Sequence, residues 1–131
     1  MLLTALALTI AIPQQCRSFD ARLPAQLAGW TRNGRDFDTR HAVTLNAGRD
    51  GTLATTVRIR KAGTFGVALS EPGWIDVQPM RGKPLASVAH GHGPQCSTIR
   101  KIVRYKLQPG TYRVTVNKLK ATRARLMLVR Y

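Results

Sequence analysis

The chain has 131 residues and a mass of 14.5 kDa, the size of a single domain, which excludes a TIM barrel, a paired Rossmann fold or a protein kinase. Apolar residues make up 44% and charged residues 21%, a composition that supports a packed core and argues against a disordered chain. The formal net charge is +15, so a partner attracted by charge must be anionic.

The N-terminus begins with an apolar run over residues 2–13 that contains no charged side chain. The run is too short to cross a bilayer as a helix, which needs about 20 residues. It has the length of the apolar part of a signal peptide. We therefore predict a signal peptide over residues 1–15 and a periplasmic or secreted protein. A buried N-terminal strand or short helix is the alternative.

The chain contains two cysteines, Cys16 and Cys96. An even number of cysteines in an exported protein predicts a disulfide, which here would join Cys16 to Cys96. That bond would tie the mature N-terminus to the body of the domain. Two unpaired thiols are the alternative.

Residues 16–40 are polar and irregular, with Pro24, Gly29, Gly34 and charges of both signs. This composition predicts an irregular N-terminal segment that lies over the domain. Trp30 is the expected anchor of the segment.

From residue 41 onward, short runs of alternating apolar and polar side chains are separated by Gly and Pro. Period-two alternation is typical of strands with one buried face. The predicted strands cover residues 41–45, 53–60, 64–69, 74–77, 85–90, 99–107, 111–119 and 122–129. No segment has a sustained helical period. The pattern predicts an all-β domain over residues 41–131, an antiparallel β-sandwich or jelly roll of about eight strands.

Two segments of this domain resemble each other, residues 57–65 (VRIRKAGTF) and residues 103–112 (VRYKLQPGTY). Each is predicted to be a strand, a turn at Gly63 or Gly110, and a second strand that begins with Thr and an aromatic residue. We expect two equivalent hairpins in two related halves of the sandwich. Chance similarity between two hairpins is the alternative.

Residues 89–96 (AHGHGPQC) are a compact cluster of metal-binding residue types. In an extended segment His90 and His92 point to the same side, and two such imidazoles can bind Zn²⁺, Cu²⁺ or Fe²⁺. The available third ligands are Cys96, His41, Glu71 and Asp76. The alternative is a Gly-rich loop whose histidines hydrogen-bond to the backbone.

The sequence lacks the signatures of common catalytic sites. It has no Gly-x-Ser-x-Gly motif and no Gly-rich phosphate loop. Four of its six carboxylates lie within the first 50 residues, which leaves no evident pair for glycoside hydrolysis. We therefore predict a binding protein rather than an enzyme, with no required cofactor.

Trp74 follows a predicted Pro72-Gly73 turn and begins a strand. A tryptophan in a strand of this kind is expected in the core. A surface position, where the indole could stack on a sugar ring, is the alternative.

Residues 77–131 contain 12 Lys and Arg and no Asp or Glu. If the last strands are neighbours, their outward side chains form a positive face for polyanions, with six predicted members: Arg100, Arg104, Lys106, Arg113, Arg123 and Arg125. Nucleic acid is not expected, because no nucleic-acid motif is present and no exposed aromatic residues are expected to alternate with the basic ones. The expected partners are anionic polysaccharide, lipopolysaccharide or a membrane surface. A basic surface without a specific ligand is the alternative.

Several motifs resemble those of small exported proteins of α-proteobacteria, chiefly sphingomonads. They are LAGW at 27–30, AGTFGVAL at 62–69, WIDV at 74–77, AHGHGPQC at 89–96, IRK at 99–101 and PGTY at 109–112, and the resemblance covers residues 27–131. The AGTF and PGTY segments are also similar to those of prepeptidase C-terminal β-sandwiches, which are non-catalytic accessory or binding domains. The resemblance implies an exported, non-catalytic binding module.

Some proteins of the resembling group carry the label homogentisate dioxygenase. That enzyme binds iron through two His and one Glu. In this chain His90 and His92 match the two histidines, and no Glu follows them. The second hypothesis is therefore a small metalloprotein, with His90 and His92 as ligands of a divalent transition metal.

Overall fold

The computed structural model describes residues 2–7 and 15–131. It contains a 3-10 helix, Ala25–Thr31, followed by eight strands. The strands are β1 Val43–Asn46, β2 Leu53–Ile59, β3 Gly63–Leu69, β4 Trp74–Pro79, β5 Ala89–His92, β6 Lys101–Leu107, β7 Gly110–Asn117 and β8 Arg123–Arg130. Most of the predicted signal peptide falls outside the described residues. Residues 2–7 have no regular secondary structure and are exposed.

The strands form two antiparallel sheets. One sheet has five strands in the order β1-β8-β3-β6-β5, and the other has three in the order β2-β7-β4. The antiparallel β-sandwich predicted from the sequence is confirmed. No helix in the described ranges is both long and apolar enough to cross a membrane.

One predicted strand, over residues 85–90, is wrong in position. The Leu85 N–H donates to the Val77 carbonyl in the three-stranded sheet, whereas the Val88 N–H donates to the Arg104 carbonyl in the five-stranded sheet. The chain therefore crosses between the sheets over residues 85–88, and these residues cannot belong to one strand. The strand that follows the crossing is β5.

The main core lies between the two sheets. Except in the exposed edge strand β5, side chains at alternate strand positions point inward, where burial of apolar surface stabilises the fold. The inward residues expected from the alternation are buried: Val57, Ile59, Phe65, Val67, Leu69, Val103, Tyr105, Leu107, Tyr112, Val114, Val116, Ala124, Leu126 and Leu128. Phe37, from the N-terminal segment, also belongs to this core.

A second apolar cluster covers the outer face of the five-stranded sheet. Trp30 is only 1% exposed and packs with Leu27 of the 3-10 helix against Ala68, Met127 and Val129. Strands β3 and β8 are therefore buried on both faces, which explains their continuous apolar runs. Trp30 anchors the N-terminal segment, as the sequence indicated.

The two segments predicted as hairpins are instead crossovers between the sheets. Strand β2 pairs with β7 and not with β3, and β6 pairs with β3 and β5 but not with β7. The β2–β3 and β6–β7 connections lie next to each other, because Ile59 pairs with Gly110 and Gly63 pairs with Leu107 at their ends. The internal similarity thus corresponds to two equivalent crossovers.

A disulfide joins Cys16 to Cys96, with 5.3 Å between the Cα atoms. It links the N-terminal segment to the loop between β5 and β6, which confirms the predicted pairing. Nearby, the Asp20 carboxylate accepts hydrogen bonds from the Thr98 N–H (2.8 Å) and hydroxyl. A structural disulfide indicates an oxidising compartment.

Candidate functional site

Five of the six basic residues predicted to share one face lie in or next to the five-stranded sheet, but on two strands that are not neighbours. Arg100, Arg104 and Lys106 are exposed at β6, whereas Arg123 and Arg125 belong to β8, and β3 separates the two strands. Arg113 lies on β7 in the other sheet. The condition behind the predicted face, that these strands are neighbours, is not met.

Two of the six form intramolecular contacts. The Arg125 guanidinium donates to the Trp30 carbonyl and to Asn33 Oδ1, at distances of 2.6–3.0 Å. The Arg104 guanidinium stacks on the ring of Tyr131, 3.8 Å from the centroid. Such a contact is a cation–π interaction that directs the charge toward the protein's own ring. Arg125 is therefore engaged by the N-terminal segment, whereas Arg104 stays exposed beside Tyr131.

A different group of basic residues surrounds a cleft of about 540 Å³ beside β2. We call this site the basic cleft and define it by its five cationic side chains: Arg35, Arg58, Arg60, Lys61 and Arg130. All five are exposed. In the part of the chain that the structure describes, none of them forms a salt bridge. Their charges are therefore not neutralised by an ion pair with a described residue.

The local sequence explains how the cleft forms. Val57 and Ile59 point into the core, so the alternation of β2 places Arg58 and Arg60 outward. Lys61 follows in the crossover to β3. Arg130, at the end of β8, lies over the ring of Phe65 at 5.1 Å from its centroid.

Arg35 reaches the cleft from the N-terminal segment, which is fixed at this point by two contacts. The buried side chain of Phe37 belongs to the main core. The Leu128 N–H donates to the Asp38 carbonyl at 3.1 Å. The segment therefore forms a supported wall of the cleft.

Two carboxylates, Asp36 and Asp38, also line the cleft. Asp38 is occupied by its own segment: it accepts hydrogen bonds from the Arg40 and His41 N–H groups at 2.9 and 2.8 Å, and its carboxylate lies 3.4 Å from His41 Nδ1. Burial alone would raise the Asp38 pKa, but these hydrogen bonds and His41 lower it. Asp38 is therefore ionised at neutral pH. With five cations and two carboxylates in its lining, the cleft keeps a net positive charge.

The basic cleft was not predicted from the sequence, because the positive surface was expected within residues 77–131, which contain no Asp or Glu. Arg35, Arg58, Arg60 and Lys61 lie within the first 76 residues, where six acidic residues offset part of the charge of nine Lys and Arg. The usable signal was local: Arg58 and Arg60 alternate with the apolar residues Val57 and Ile59, and Lys61 follows directly.

Trp74 is not in the core, contrary to expectation. It is 56% exposed on the outer face of the three-stranded sheet. Its Nε1–H donates to Asp76 Oδ1 at 3.2 Å, and Lys118 Nζ lies 5.7 Å from the ring centroid. Ile75 and Val77 take the inward positions of β4, so Trp74 and Asp76 must point outward.

His90 and His92 lie at alternate positions of the edge strand β5, opposite Val103 and Lys101 of β6. They therefore share one side of the strand, as expected, and both are exposed. Cys96 is in the disulfide, and His41 contacts Asp38 instead. Within residues 2–7 and 15–131, no three His, Cys, Asp or Glu side chains form a group that could hold a metal ion. The metalloprotein hypothesis stays a prediction.

A scan against models of protein families and a search of curated proteins found no match to this chain. The resemblance to small exported α-proteobacterial proteins therefore stays a prediction.

Proposed function

We propose that this protein is an exported, non-catalytic β-sandwich module that binds anionic glycans or other anionic components of the cell envelope. The observation that carries the proposal is the basic cleft. Five exposed cations converge there, and charge of one sign lining a concave surface concentrates counter-ions of the opposite sign.

The arrangement favours binding over catalysis. The buried side chains of the described residues are all apolar or aromatic, so no buried carboxylate or histidine is available as a tuned acid or base. In the basic cleft, guanidinium groups predominate, and they bind carboxylates and phosphates through paired hydrogen bonds.

The disulfide supports the compartment part of the proposal. Disulfides persist in the periplasm and outside the cell and are rare in the bacterial cytoplasm. Anionic polysaccharides and lipopolysaccharide are exposed in those same compartments. The net charge of +15 would attract either one over a distance set by the ionic strength.

The test compares two variants that each remove two exposed positive charges. Arg58→Ala/Arg60→Ala removes charge from the basic cleft, and Lys106→Ala/Arg123→Ala removes it from the five-stranded sheet. Binding to oligogalacturonate and to lipopolysaccharide is measured by isothermal titration calorimetry. We expect the cleft variant to bind at least one probe about tenfold more weakly, and the control to stay within about twofold of wild type.

Equal weakening by the two variants would contradict the proposal, since it would show attraction by net charge alone. Absence of binding to both probes by the wild-type protein would also contradict it. Repeating the titration at about 0.5 M NaCl measures the electrostatic part, because screening at that ionic strength shortens the range of exposed charges to a few ångström.

A further inference from the structure

The outer face of the three-stranded sheet is a polar surface that leads from Trp74 to the basic cleft. Its side chains form cross-strand rows: Trp74 with Asn117, Asp76 with Thr115 and Ala54, Gln78 with Arg113 and Thr56, and Arg58 with Thr111. We call this surface the β4-β7-β2 face. Its outward side chains are all exposed or half-buried. At about 3.4 Å per residue, the Trp74 row lies about 20 Å from the Arg58 row.

Trp74 marks one end of this face. Its indole is exposed yet held in orientation by the hydrogen bond to Asp76. A flat aromatic ring of this kind suits the apolar C–H face of a pyranose ring, while neighbouring polar groups suit the sugar hydroxyls.

Positive charge accompanies the aromatic ring along the face. Lys118 Nζ lies 5.7 Å from the Trp74 ring centroid, and the Lys118 backbone has a left-handed conformation, with φ of 59°. Such a conformation is uncommon for a residue other than glycine. Arg113 lies midway along the face, between Thr56 and Gln78. Arg58 belongs both to this face and to the basic cleft. A ligand that follows the face therefore meets cations at three points, Lys118, Arg113 and Arg58, with the Asp76 carboxylate between the first two.

We propose that the β4-β7-β2 face binds a single strand of an acidic polysaccharide, one whose pyranose rings carry carboxylate groups. One sugar ring stacks on Trp74, and the acid groups pair with Lys118, Arg113 and the basic cleft. This inference rests on the proposed function and specifies its ligand. An anionic polymer without sugar rings would satisfy the cations and leave the exposed indole uncovered.

The experiment compares two probes of matched charge: oligogalacturonate, which has pyranose rings and carboxylates, and linear polyphosphate, which has no rings. Binding of each probe is measured for the wild-type protein, Trp74→Ala, Trp74→Phe and Arg58→Ala/Arg60→Ala. Trp30, the other tryptophan, is buried, so its fluorescence reports whether each Trp74 variant is folded.

We expect the wild-type protein to prefer oligogalacturonate to polyphosphate. Trp74→Ala should weaken oligogalacturonate binding about tenfold and leave polyphosphate binding unchanged, and Trp74→Phe should retain most of the preference. Arg58→Ala/Arg60→Ala should weaken binding of both probes.

Two results would overturn the inference while the proposed function stands. One is oligogalacturonate binding that is unchanged in Trp74→Ala. The other is wild-type binding of polyphosphate without any preference for oligogalacturonate. If Arg58→Ala/Arg60→Ala instead binds both probes as tightly as the wild-type protein does, the proposed function is overturned, and the inference with it.

Discussion

The guanidinium of Arg125 donates two hydrogen bonds to the main-chain carbonyl of Trp30, at 2.6 and 3.0 Å. A third hydrogen bond, of 2.7 Å, reaches Asn33 Oδ1. The same guanidinium lies 5.6 Å from the Trp30 ring centroid. Arg125 therefore fastens the end of the 3-10 helix to β8 and holds the apolar cluster over the outer face of the five-stranded sheet.

Arg125→Ala is expected to destabilise the protein, because it leaves the half-buried Trp30 carbonyl without its donors. Hydrogen bonds from a charged group contribute about 1.5–3 kcal/mol, and we expect a loss of that size in the free energy of unfolding. The matched control is Arg123→Ala, which removes an exposed arginine from the same strand and should change stability by less than about 0.5 kcal/mol. Urea denaturation measures both; equal losses would contradict the assigned role.

The Cys16–Cys96 disulfide holds the beginning of the same segment. It closes a loop with a sequence separation of 80 residues. Cys16→Ser/Cys96→Ser should lower the free energy of unfolding by about 2–5 kcal/mol, since the unfolded chain regains the freedom that the bond removed.

The position of Trp30 gives a second readout for the disulfide variant. In a Trp74→Phe background, Trp30 is the remaining tryptophan, and exposure of its ring would shift its fluorescence to longer wavelength. We expect the shift to begin at lower urea concentration without the disulfide than with it. Identical transitions would show that the segment is held without the bond.

Tyr105 predicts a specific pH dependence. Its hydroxyl donates to the Ile75 carbonyl at 3.1 Å, and burial, with a smaller effect from the negative charge of Asp76, raises its pKa to about 12. The ordinary tyrosine pKa is about 10, so the fold favours the neutral phenol. This contribution to stability is complete below about pH 10 and is lost as the pH rises toward 12.

The measurement is the free energy of unfolding against pH for the wild-type protein and Tyr105→Phe. The phenylalanine variant should be less stable at neutral pH by about 1 kcal/mol, the contribution of a typical hydrogen bond. It should lose less stability than wild type between about pH 10 and 12. The same loss in both proteins would mean that Tyr105 is not the group that titrates.

The sequence predicted the sandwich because alternation reports directly which side chains face the core. Phe65, Val67 and Leu69 had to point one way in any strand, and they do. Alternation does not identify a strand's partner, however. Both a hairpin and a crossover keep apolar side chains facing the core, so the β2–β3 connection could not be assigned from its residues alone.

The candidate site was less predictable, because it depends on which segments meet in space. Arg35 and Arg130 are 95 positions apart in the chain and reach one cleft only through the packing of Phe37 and the end of β8. The wrong prediction for Trp74 was avoidable. The inward positions of Ile75 and Val77 require Trp74 to point outward, but the prediction relied on the general tendency of tryptophan to be buried.

Titration with oligogalacturonate, followed by ¹H–¹⁵N chemical-shift perturbation, locates the binding surface residue by residue. We expect the shifts to concentrate on residues 35–39 and 58–61, Arg130, and the β4-β7-β2 face, including the Trp74 indole N–H. Perturbations confined to β6 and β8 around Arg100, Arg104 and Arg123 would contradict this expectation, as would weak shifts spread evenly over all exposed Lys and Arg.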